Sequence, residues 1–561
     1  MLRRRHLGRV SFEEANDLQR ALLRTADDYV LLLEHPPTYT RGVRALEEHF
    51  LVPPASLDAV VVDADRGGDV TYHGPGQVVA WAIVTVPDDP GAGRAHVARL
   101  EDAVIATVRH FDVDGRAGEV GRLEGYPGVW VHLEDRPAKI AAVGVRTERD
   151  DTGRRRTLHG VALNVTVDLN AFAAIVPCGI ADKPVVSMAS LGVTVEPAVV
   201  EEHLGAELAT RLGAADQAAH VARVEYSSLT AGNGNAGPSV GDGNAGPSVG
   251  EERPLLRRLR QAGVDPRAGI SLRARKPAWL RVEASMGHDY QSLRTLTEDL
   301  HLVTVCEEAG CPNIFECWSS GTATFMVNGD RCTRNCGFCL IDTRNPLPLD
   351  PSEPTRVAEA VVRLGLSHAV VTCVARDDLA DGGAGAIAAV VRAIRAASPR
   401  TSVEVLISDF QGRATSLDLV LDAAPDVVNH NIETVARLQR AARPSAGYLR
   451  SLTVLARAAR AGFTTKSGMM VGLGESVDEV DETMADLAAV GVSIVTIGQY
   501  LRPTERHLPV ARWWEPEEFE DLAARGLRHG LAHVQASPLT RSSYHAREAL
   551  ATATPVRLGR L

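Results

Sequence analysis

The segment AGNGNAGPSVGDGNAGPSVG, residues 231–250, constrains this chain more than any other, because it repeats NAGPSVG twice and holds almost nothing that could fill a core. Sequence of this composition behaves as a flexible linker, and a repeat this short and polar is no solenoid unit. It divides a chain of 561 residues, already more than one hydrophobic core usually supports, into two regions that must fold separately. The expected boundaries are 1–225 for the first domain, 226–251 for the linker and 252–561 for the second domain.

Outside the linker the composition is that of ordinary globular protein, and no apolar run reaches the roughly 18 residues a membrane span requires. The N-terminal MLRRRHLGRVSFEEANDLQRALL meets Glu13, Glu14 and Asp17 before any apolar stretch, so it lacks the apolar core of a secretory signal, and a cytoplasmic location is expected. A formal charge of -11 argues against nucleic acid as a partner, while leaving local basic patches free to meet an acidic protein. Arg3 to Arg5 and Arg154 to Arg156 are read as solvated loop faces without a role.

The first region mixes Val- and Ile-rich strand candidates (VVVD, GQVVAWAIVTV, KIAAVGV, HGVALNVTVDL) with helical patterns such as AHVARLEDAVIATVRHF, which predicts an α/β domain. In the second, HAVVTCVA, TSVEVLIS, DVVNHNIE, FTTKSGMMVGL and SIVTIGQYL alternate with helical stretches such as PTRVAEAVVRLGL and SVDEVDETMADLAAVG. That rhythm predicts βα repeats and a parallel sheet or barrel, so the whole is an α/β multidomain chain.

Three features of the first region carry chemistry. Cys178, in FAAIVPCGI, is by itself no more than a small apolar side chain. Lys139, in PAKIAAVGV, is a lone cation in an apolar run, where charge is costly to bury. An ammonium beside a thiol favours the thiolate, and a desolvated lysine can accept and return protons; the alternative is a lysine whose tip reaches water at a strand end. Third, RGGDVTYHGPGQ at 66–77 has four glycines and a proline that bring backbone close to something, beside Arg66, Tyr72 and His73.

With GVWV at 128–131, KIAAVGV at 139–145, HGVALNV at 159–165 and PCGI at 177–180 in the same order, residues 5–215 resemble the lipoyl(octanoyl) transferase family. The resemblance implies the fold of the biotin and lipoate protein ligases, an octanoyl thioester on Cys178 and activation by Lys139. It implies substrate contacts along Arg66, Gly67, Gly68, Asp69, Val70, Thr71, Tyr72 and His73, along Ala142, Val143 and Gly144, and along Gly160, Val161 and Ala162. Two steps through a thioester spare the enzyme from holding both protein partners at once. Burying the octanoyl tail at about 0.8 kcal/mol per methylene contributes roughly 5 kcal/mol, enough for pocket depth to select chain length. No P-loop pattern is present, which favours a transferase over an ATP-dependent ligase.

Six of the eight cysteines fall between Cys306 and Cys339, a clustering that in a cytosolic chain points to metal rather than disulfides. Cys332, Cys336 and Cys339 in CTRNCGFC have C-x-x-x-C-x-x-C spacing, placing three thiolates on one short loop. Structural zinc takes four ligands, commonly in paired C-x-x-C knuckles. A 4Fe-4S cluster held by three cysteines leaves one iron open to a substrate, the pattern of radical S-adenosylmethionine enzymes. Upstream, CEEAGCPNIFECW supplies a second triad, Cys306, Cys311 and Cys317.

With both triads, KPAWLR at 276–281, ARDDLADGGA at 375–384, NHNIETV at 429–435, MMVGLGE at 469–475 and RSSYHA at 541–546, residues 252–561 resemble lipoyl synthase. The resemblance implies a partial (β/α) barrel of the radical SAM type with two 4Fe-4S clusters. The radical cluster would rest on Cys332, Cys336 and Cys339, and the auxiliary one on Cys306, Cys311, Cys317 and Ser543. Phe338 would face the adenine of S-adenosylmethionine, Gly382 and Gly383 would hold its methionyl amino group, and Cys373 would be a buried structural thiol. Implied too are hydrogen abstraction from octanoyl C6 and C8 by the 5′-deoxyadenosyl radical and sulfur donation by the auxiliary cluster. The implied partners are octanoyl-acyl carrier protein, lipoyl domains of 2-oxoacid dehydrogenase E2 subunits and the glycine cleavage H protein, and a reductant such as ferredoxin or flavodoxin.

Overall fold

Strands whose residues are apolar on both faces must be covered on both sides, and the order of strands in each half follows from that demand. The computed structural model describes residues 1–133, 136–213, 220–225, 253–281, 287–308, 311, 313–315 and 324–553. The side chains of 220–225, 288–290, 292–293 and 306 are outside that description, as are the expected linker and Cys317. The chain forms two units, Met1–Thr230 and Ala231–Leu561. Among the described residues no helix is long and apolar enough to cross a membrane.

In the first unit the strands are β1 (Leu2–Arg9), β2 (Asp28–Glu34), β3 (Thr38–Arg41), β4 (Val60–Asp63), β5 (Thr71–His73), β6 (Gln77–Ile83), β7 (Val120–Leu123), β8 (Tyr126–His132), β9 (Pro137–Arg149), β10 (Arg155–Asn164) and β11 (His220–Glu225). Eight form one sheet in the order β11-β1-β2-β6-β10-β9-β8-β7, and β4-β3-β5 form a small second one. Pairing is parallel from β11 through β1 to β2 and antiparallel from β2 to β7. Alternation sorts the central side chains. Val30, Leu32, Val78 and Ala80 pack beneath the helices Ala92–His110 and Pro197–Leu212, while Trp81 turns the other way and meets Phe12 edge-on at 5.3 Å.

The basic runs correct the sequence reading. Arg3, Arg4 and Arg5 lie within β1 and are buried, and Arg156 in β10 is fully buried. Each finds oxygen partners: Arg3 pairs with Asp27 at 2.7 Å, Arg4 with Glu202 at 3.2 Å, Arg5 donates to the Arg4 carbonyl at 3.1 Å, and Arg156 donates to the Asp27 and Ile83 carbonyls at 2.8 and 3.0 Å. Carboxylate and carbonyl partners offset much of the cost of burying a guanidinium, although Arg4 Nε and Nη1 and Arg156 Nε are buried without a hydrogen-bond partner among the described residues; charge counting along a sequence reveals neither.

In the second unit β12 (Val303–Thr304), β13 (Thr324–Val327), β14 (His368–Cys373), β15 (Ser402–Leu406), β16 (Val427–Asn429), β17 (Thr464–Val471), β18 (Ile494–Gln499) and β19 (His533–Ala536) lie side by side in chain order. All pairs from β13 to β19 are parallel, β12 joins antiparallel, and the two edge strands are not joined, so this is the expected partial barrel. Helices Glu353–Arg363, Ala384–Ala397, Ala414–Leu421, Tyr448–Arg460, Val477–Ala489 and Pro516–Arg528 connect successive strands. Phe325, Val327, Ala369, Val371, Val403 and Val405 face that helical layer. Their alternates, Thr324, Met326, Thr372 and Leu406, line the interior cavity. Deeper on the same inner face, Lys466 Nζ lies 2.9 and 3.1 Å from the two Glu404 oxygens, one of which also accepts from Asn429 Nδ2 at 2.9 Å.

Candidate active sites

In the first unit Cys178 stands on a single 3-10 turn, Pro177–Gly179, in a left-handed conformation (φ 57°, ψ 18°) that a non-glycine residue adopts only when held there. Its N–H donates to the Val70 carbonyl at 2.9 Å, and the Gly179 N–H donates to Val176 at 3.0 Å. Alternation along 70–73 then divides the expected substrate stretch. Thr71 and His73 face a cavity of about 520 Å³, whereas Val70 and Tyr72 turn into an apolar cluster with Tyr39 and Phe172. Val70 therefore serves the site through its backbone alone. The other expected contacts, Arg66 to Asp69, Ala142 to Gly144 and Gly160 to Ala162, all line that cavity, and so do Cys178 and Lys139.

Lys139 is held in register by its N–H to Pro184 and by the Val186 N–H to its carbonyl, both at 2.9 Å. Its ammonium lies 4.9 Å from the Trp130 ring centroid, an attraction between cation and ring face, and has no hydrogen-bond or ion-pair partner among the described residues. Arg66, buried, donates to Thr40 Oγ1 and to the Thr40 and Asp69 carbonyls. Burial pulls its pKa down to about 10, offset by the negative charges of Cys178 and Asp69. Arg66 is thus near enough to the nucleophile candidate for their charges to interact, and Lys139 lines the same cavity. The floor is apolar and sparse, with Phe12, Val79 and Trp81 beside Gly144 and Gly160. A Cβ at Gly160 would sit 2.1 Å from the Ala80 carbonyl, so that glycine is required by strand contact as well as by the space above it.

In the second unit the loop after β13 carries Cys332, Cys336 and Cys339, and backbone bonds tie it on both sides. Cys332 N donates to Asp342 at 2.8 Å, Thr333 N to Ala375 at 3.0 Å and Gly337 N to Ala442 at 2.7 Å. Arg334, between the first two cysteines, forks onto Asp377 at 2.7 and 2.8 Å and reaches buried Asp409 at 2.6 Å. Burial opposes its charge, but the two carboxylates outweigh that and hold it firmly protonated. The loop is thereby clamped to the ends of β14 and β15.

A cavity of about 390 Å³ is walled by Cys311, Cys332, Cys336, Phe338, Cys339 and Ser543. Burial pushes the Cys336 thiol up to about 12, opposed by Arg443 and reinforced by Cys339 and Cys332, and pushes Cys339 up to about 11. Among the described residues no three His, Cys, Asp or Glu side chains gather about a point that one ion could fill. A mononuclear site needs that convergence, whereas a cluster takes one thiolate per iron and needs sulfurs spread around a space. Cysteines distributed over a cavity wall fit a cluster. The RSSYHA segment reaches the same wall: Asn313 Nδ2 donates to Leu539 O at 2.7 Å, and Asn431 Nδ2 to Ser542 Oγ at 3.0 Å. Arg541 lies near enough to Cys311 for the two charges to interact. Cys306 falls in the short helix Val305–Glu308, its side chain undescribed, and Cys317 lies outside the described residues.

Gly382 and Gly383 are not brought to this cavity. With φ of +66° and +84° they form the turn that starts helix Ala384–Ala397, and a Cβ on either would press on Phe410 or Asn328. Cys373 packs against the helical core and also forms part of the cavity wall, its thiol 3.8 Å from the Leu406 carbonyl and raised to about 12 by burial. Sequence reasoning did not single out Arg44 and His49 in the first cavity, nor Glu433, Arg443 and Asn431 in the second. Glu433 and Asn431 belong to the quoted NHNIETV, but no spacing rule marks His49.

Residues 11–209 match the family model described as Lipoyl protein ligase A/B catalytic domain, and residues 326–487 match the Radical SAM superfamily. The lipoyl synthase of Symbiobacterium thermophilum is 54% identical over 295 residues, covering 52% of this chain and 91% of that protein. The lipoyl synthase of Kineococcus radiotolerans is 52% identical over 272 residues, covering 48% and 82%. Likeness to solved structures is slight: lipoate-protein ligase A bound with ATP shows 15% identity and a TM-score of 0.31 over 38% of this chain and 86% of that one. Methylornithine synthase shows 12% and 0.29 over 50% and 85%. Both halves are enzymes of lipoate biosynthesis, and the second uses S-adenosylmethionine and 4Fe-4S clusters. The chain belongs to the lipoyl synthase family and carries, N-terminal to that part, a lipoyl protein ligase A/B catalytic domain.

Proposed function

We propose that the chain builds the lipoyl group on one protein lysine in two steps, taking octanoyl from acyl carrier protein through a Cys178 thioester and then inserting sulfur at C6 and C8. What carries this reading is the gathering of sequence-distant groups: Cys178, Lys139 and Arg66 about one cavity, and Cys311, Cys332, Cys336, Cys339 and Ser543 about another.

In the first step the Cys178 thiolate attacks the octanoyl carbonyl and the carrier thiol leaves; the lysine amine of a lipoyl domain then attacks the Cys178 thioester and frees the thiolate. Lys139 and Arg66 favour the thiolate in both directions by charge. Phe12, Val79 and Trp81 receive the tail. In the second step Cys332, Cys336 and Cys339 would hold the radical cluster, and Cys311 and Ser543 would hold the auxiliary one together with Cys306 and Cys317, whose side chains lie outside the described residues. Bound there, the clusters would supply redox chemistry and sulfur that no side chain can bring to an unactivated methylene. Phe338 would pack on the adenine, and the cavity wall of Met326, Leu406 and Met470 would exclude water from the octanoyl arm. Ferredoxin or flavodoxin would deliver the electrons, and E2 lipoyl domains and the glycine cleavage H protein would present the lysine.

The test is to incubate the anaerobically reconstituted protein with octanoyl-acyl carrier protein, an unmodified lipoyl domain, S-adenosylmethionine and reductant, and to weigh the lipoyl domain. Octanoyl mass that gives way to lipoyl mass is expected. A domain that gains neither mass refutes the reading.

A further inference from the structure

The whole chain carries a formal charge of -11, yet residues 253–281 hold eight arginines and Lys276 against a single acid, Asp265. Charge concentrated against the sign of the rest of the molecule steers and selects partners of opposite charge.

The fold sets this segment against the loop of the three cysteines. Cys336, Phe338 and Cys339 line the cavity of the second unit, whereas Gly337 among them does not. A Cβ on Gly337 would lie 2.4 Å from Leu255 Cδ1, 3.1 Å from the Ala441 carbonyl and 3.1 Å from Leu508 Cδ1. Leu255 belongs to helix Pro254–Gln261, which buries Leu259, and Ala441 to the short helix Gln439–Ala442. Gly337 N donates to Ala442 at 2.7 Å and Leu508 N to Gly337 at 2.8 Å. On either side, Arg253 Nη2 donates to the Glu505 carbonyl at 3.0 Å and Ile270 N to the Val510 carbonyl at 2.7 Å. The basic segment is thus strapped across the back of the cysteine loop, and none of its residues lines the cavity.

Its outer face is cationic. Arg257 on the first helix and Arg440 on the second are exposed. The side chains of Arg257, Arg258 and Arg440 have no hydrogen-bond or carboxylate partner among the described residues. Burial, with the like charges of Arg440 and Arg257, holds the Arg258 guanidinium below its usual pKa. Like charges crowded in this way repel, and an anionic partner relieves the repulsion. The place of the patch then selects among acidic partners. An octanoyl arm must enter the cavity, which this segment does not border. An electron needs only a short path to the cysteine loop, and the missing side chain of Gly337 lets Leu255 rest on the backbone between Cys336 and Phe338.

We propose that Arg257, Arg258 and Arg440 form the docking surface for a small acidic electron-transfer protein, a role that rests on the reading of Cys332, Cys336 and Cys339 as cluster ligands. The donor docked there is oxidised by one electron and the cluster is reduced by one, with no bond made or broken. Electron-transfer encounters bury little area, so charge governs how fast they form.

The experiment titrates an acidic flavodoxin and an acidic ferredoxin, separately, onto the anaerobically reconstituted full chain and onto Arg257→Glu/Arg440→Glu, at low and at physiological salt. At least one donor should bind the parent. The double variant should weaken that binding by at least about tenfold at low salt and flatten its dependence on salt. S-adenosylmethionine cleavage driven by the same donor, below saturation, should slow by a like factor, while cleavage driven by dithionite is unchanged. Arg400→Glu/Arg528→Glu makes the same charge change at two exposed arginines elsewhere on the unit and should bind the donor as the parent does. Equal thermal midpoints show that the variants fold. The proposal is overturned if neither donor binds the parent, if that binding ignores salt, or if the double variant binds as the parent does. Equal loss in the control pair overturns it, as does a double variant that loses affinity for octanoyl-acyl carrier protein or a lipoyl domain instead of for the donor. Failure of the underlying reading looks different: Cys336→Ala would then cleave S-adenosylmethionine with dithionite as the parent does.

Discussion

Cys178 shares its cavity with two cations, Arg66 and Lys139, whereas burial holds the Cys336 thiol up to about 12 and Cys339 up to about 11. A thiol beside fixed positive charge is prepared to act as a nucleophile on its own. Thiols raised by burial stay protonated near neutral pH, so on the proposed reading their deprotonation would accompany binding of the cluster. The first unit thus makes its reactivity out of side chains and the second makes a container for reactivity that a cofactor brings. The backbones match these tasks. A mixed sheet with an open, glycine-lined face admits an acyl arm, while a parallel partial barrel closes its interior around a cavity at one end.

The sharpest way to break this comparison is to remove one thiol from each unit. Cys178→Ser should abolish octanoyl transfer by at least about 10³-fold and leave sulfur insertion into a pre-octanoylated domain unchanged, and Cys336→Ala should do the reverse. Mass spectrometry of the lipoyl domain reads both. Loss of both activities in either variant would show that the units are not separable.

Next in size is the buried Glu404–Lys466 pair. Breaking such a pair costs about 3–5 kcal/mol because it leaves one charge uncompensated, so Glu404→Leu should lower the calorimetric transition of the second unit and leave that of the first in place. Burial alone would raise the Glu404 carboxyl, but Lys466 and His368 outweigh it and hold it at about 2, below the ordinary carboxylate range. Its contribution is therefore fully present above about pH 4.3, the unfolded value, and is lost as pH falls from there toward 2. Stability of the second unit in Glu404→Leu should accordingly respond less to pH across that window.

Smaller effects sharpen the contrast. Lys139→Met keeps the apolar stem and removes the charge, and should slow octanoyl transfer by about 30-fold, roughly 2 kcal/mol of electrostatic stabilisation, without touching sulfur insertion. In iron-free protein, iodoacetamide should modify Cys336 at least about tenfold more slowly than Cys178 near neutral pH, because only thiolate reacts; peptide mapping gives the two rates.

What could be read beforehand depended on how local the signal was. All five strand candidates of the second half became β14 to β18, since apolar alternation with helices is written into consecutive residues. β13 and β19, four residues each, are too short to show a period. β1 was hidden because LRRRHLGR reads as a charged run, and partners distant in sequence, Asp27 and Glu202 among them, help to bury those arginines. That Cys332, Cys336 and Cys339 would stand around one space was legible because their spacing is itself sequential, and all three line one cavity. Gly382 and Gly383 start a helix and lie outside the lining of that cavity, a placement that two consecutive glycines do not announce in sequence. His49 left no trace, because pairing of 49–51 with 174–176 carries it to Cys178 across more than a hundred residues.

The central claim is that two separate sites act in turn on one lysine, and mixing single-site variants tests it most directly. Cys178→Ser and Cys336→Ala proteins would be combined with octanoyl-acyl carrier protein, unmodified lipoyl domain, S-adenosylmethionine and reductant, and the lipoyl domain weighed. The account expects no lipoyl mass from either variant alone and full lipoyl mass from the mixture, because the octanoylated domain leaves one chain and is completed by the other. Lipoyl mass from either variant alone, or none from the mixture, would contradict it.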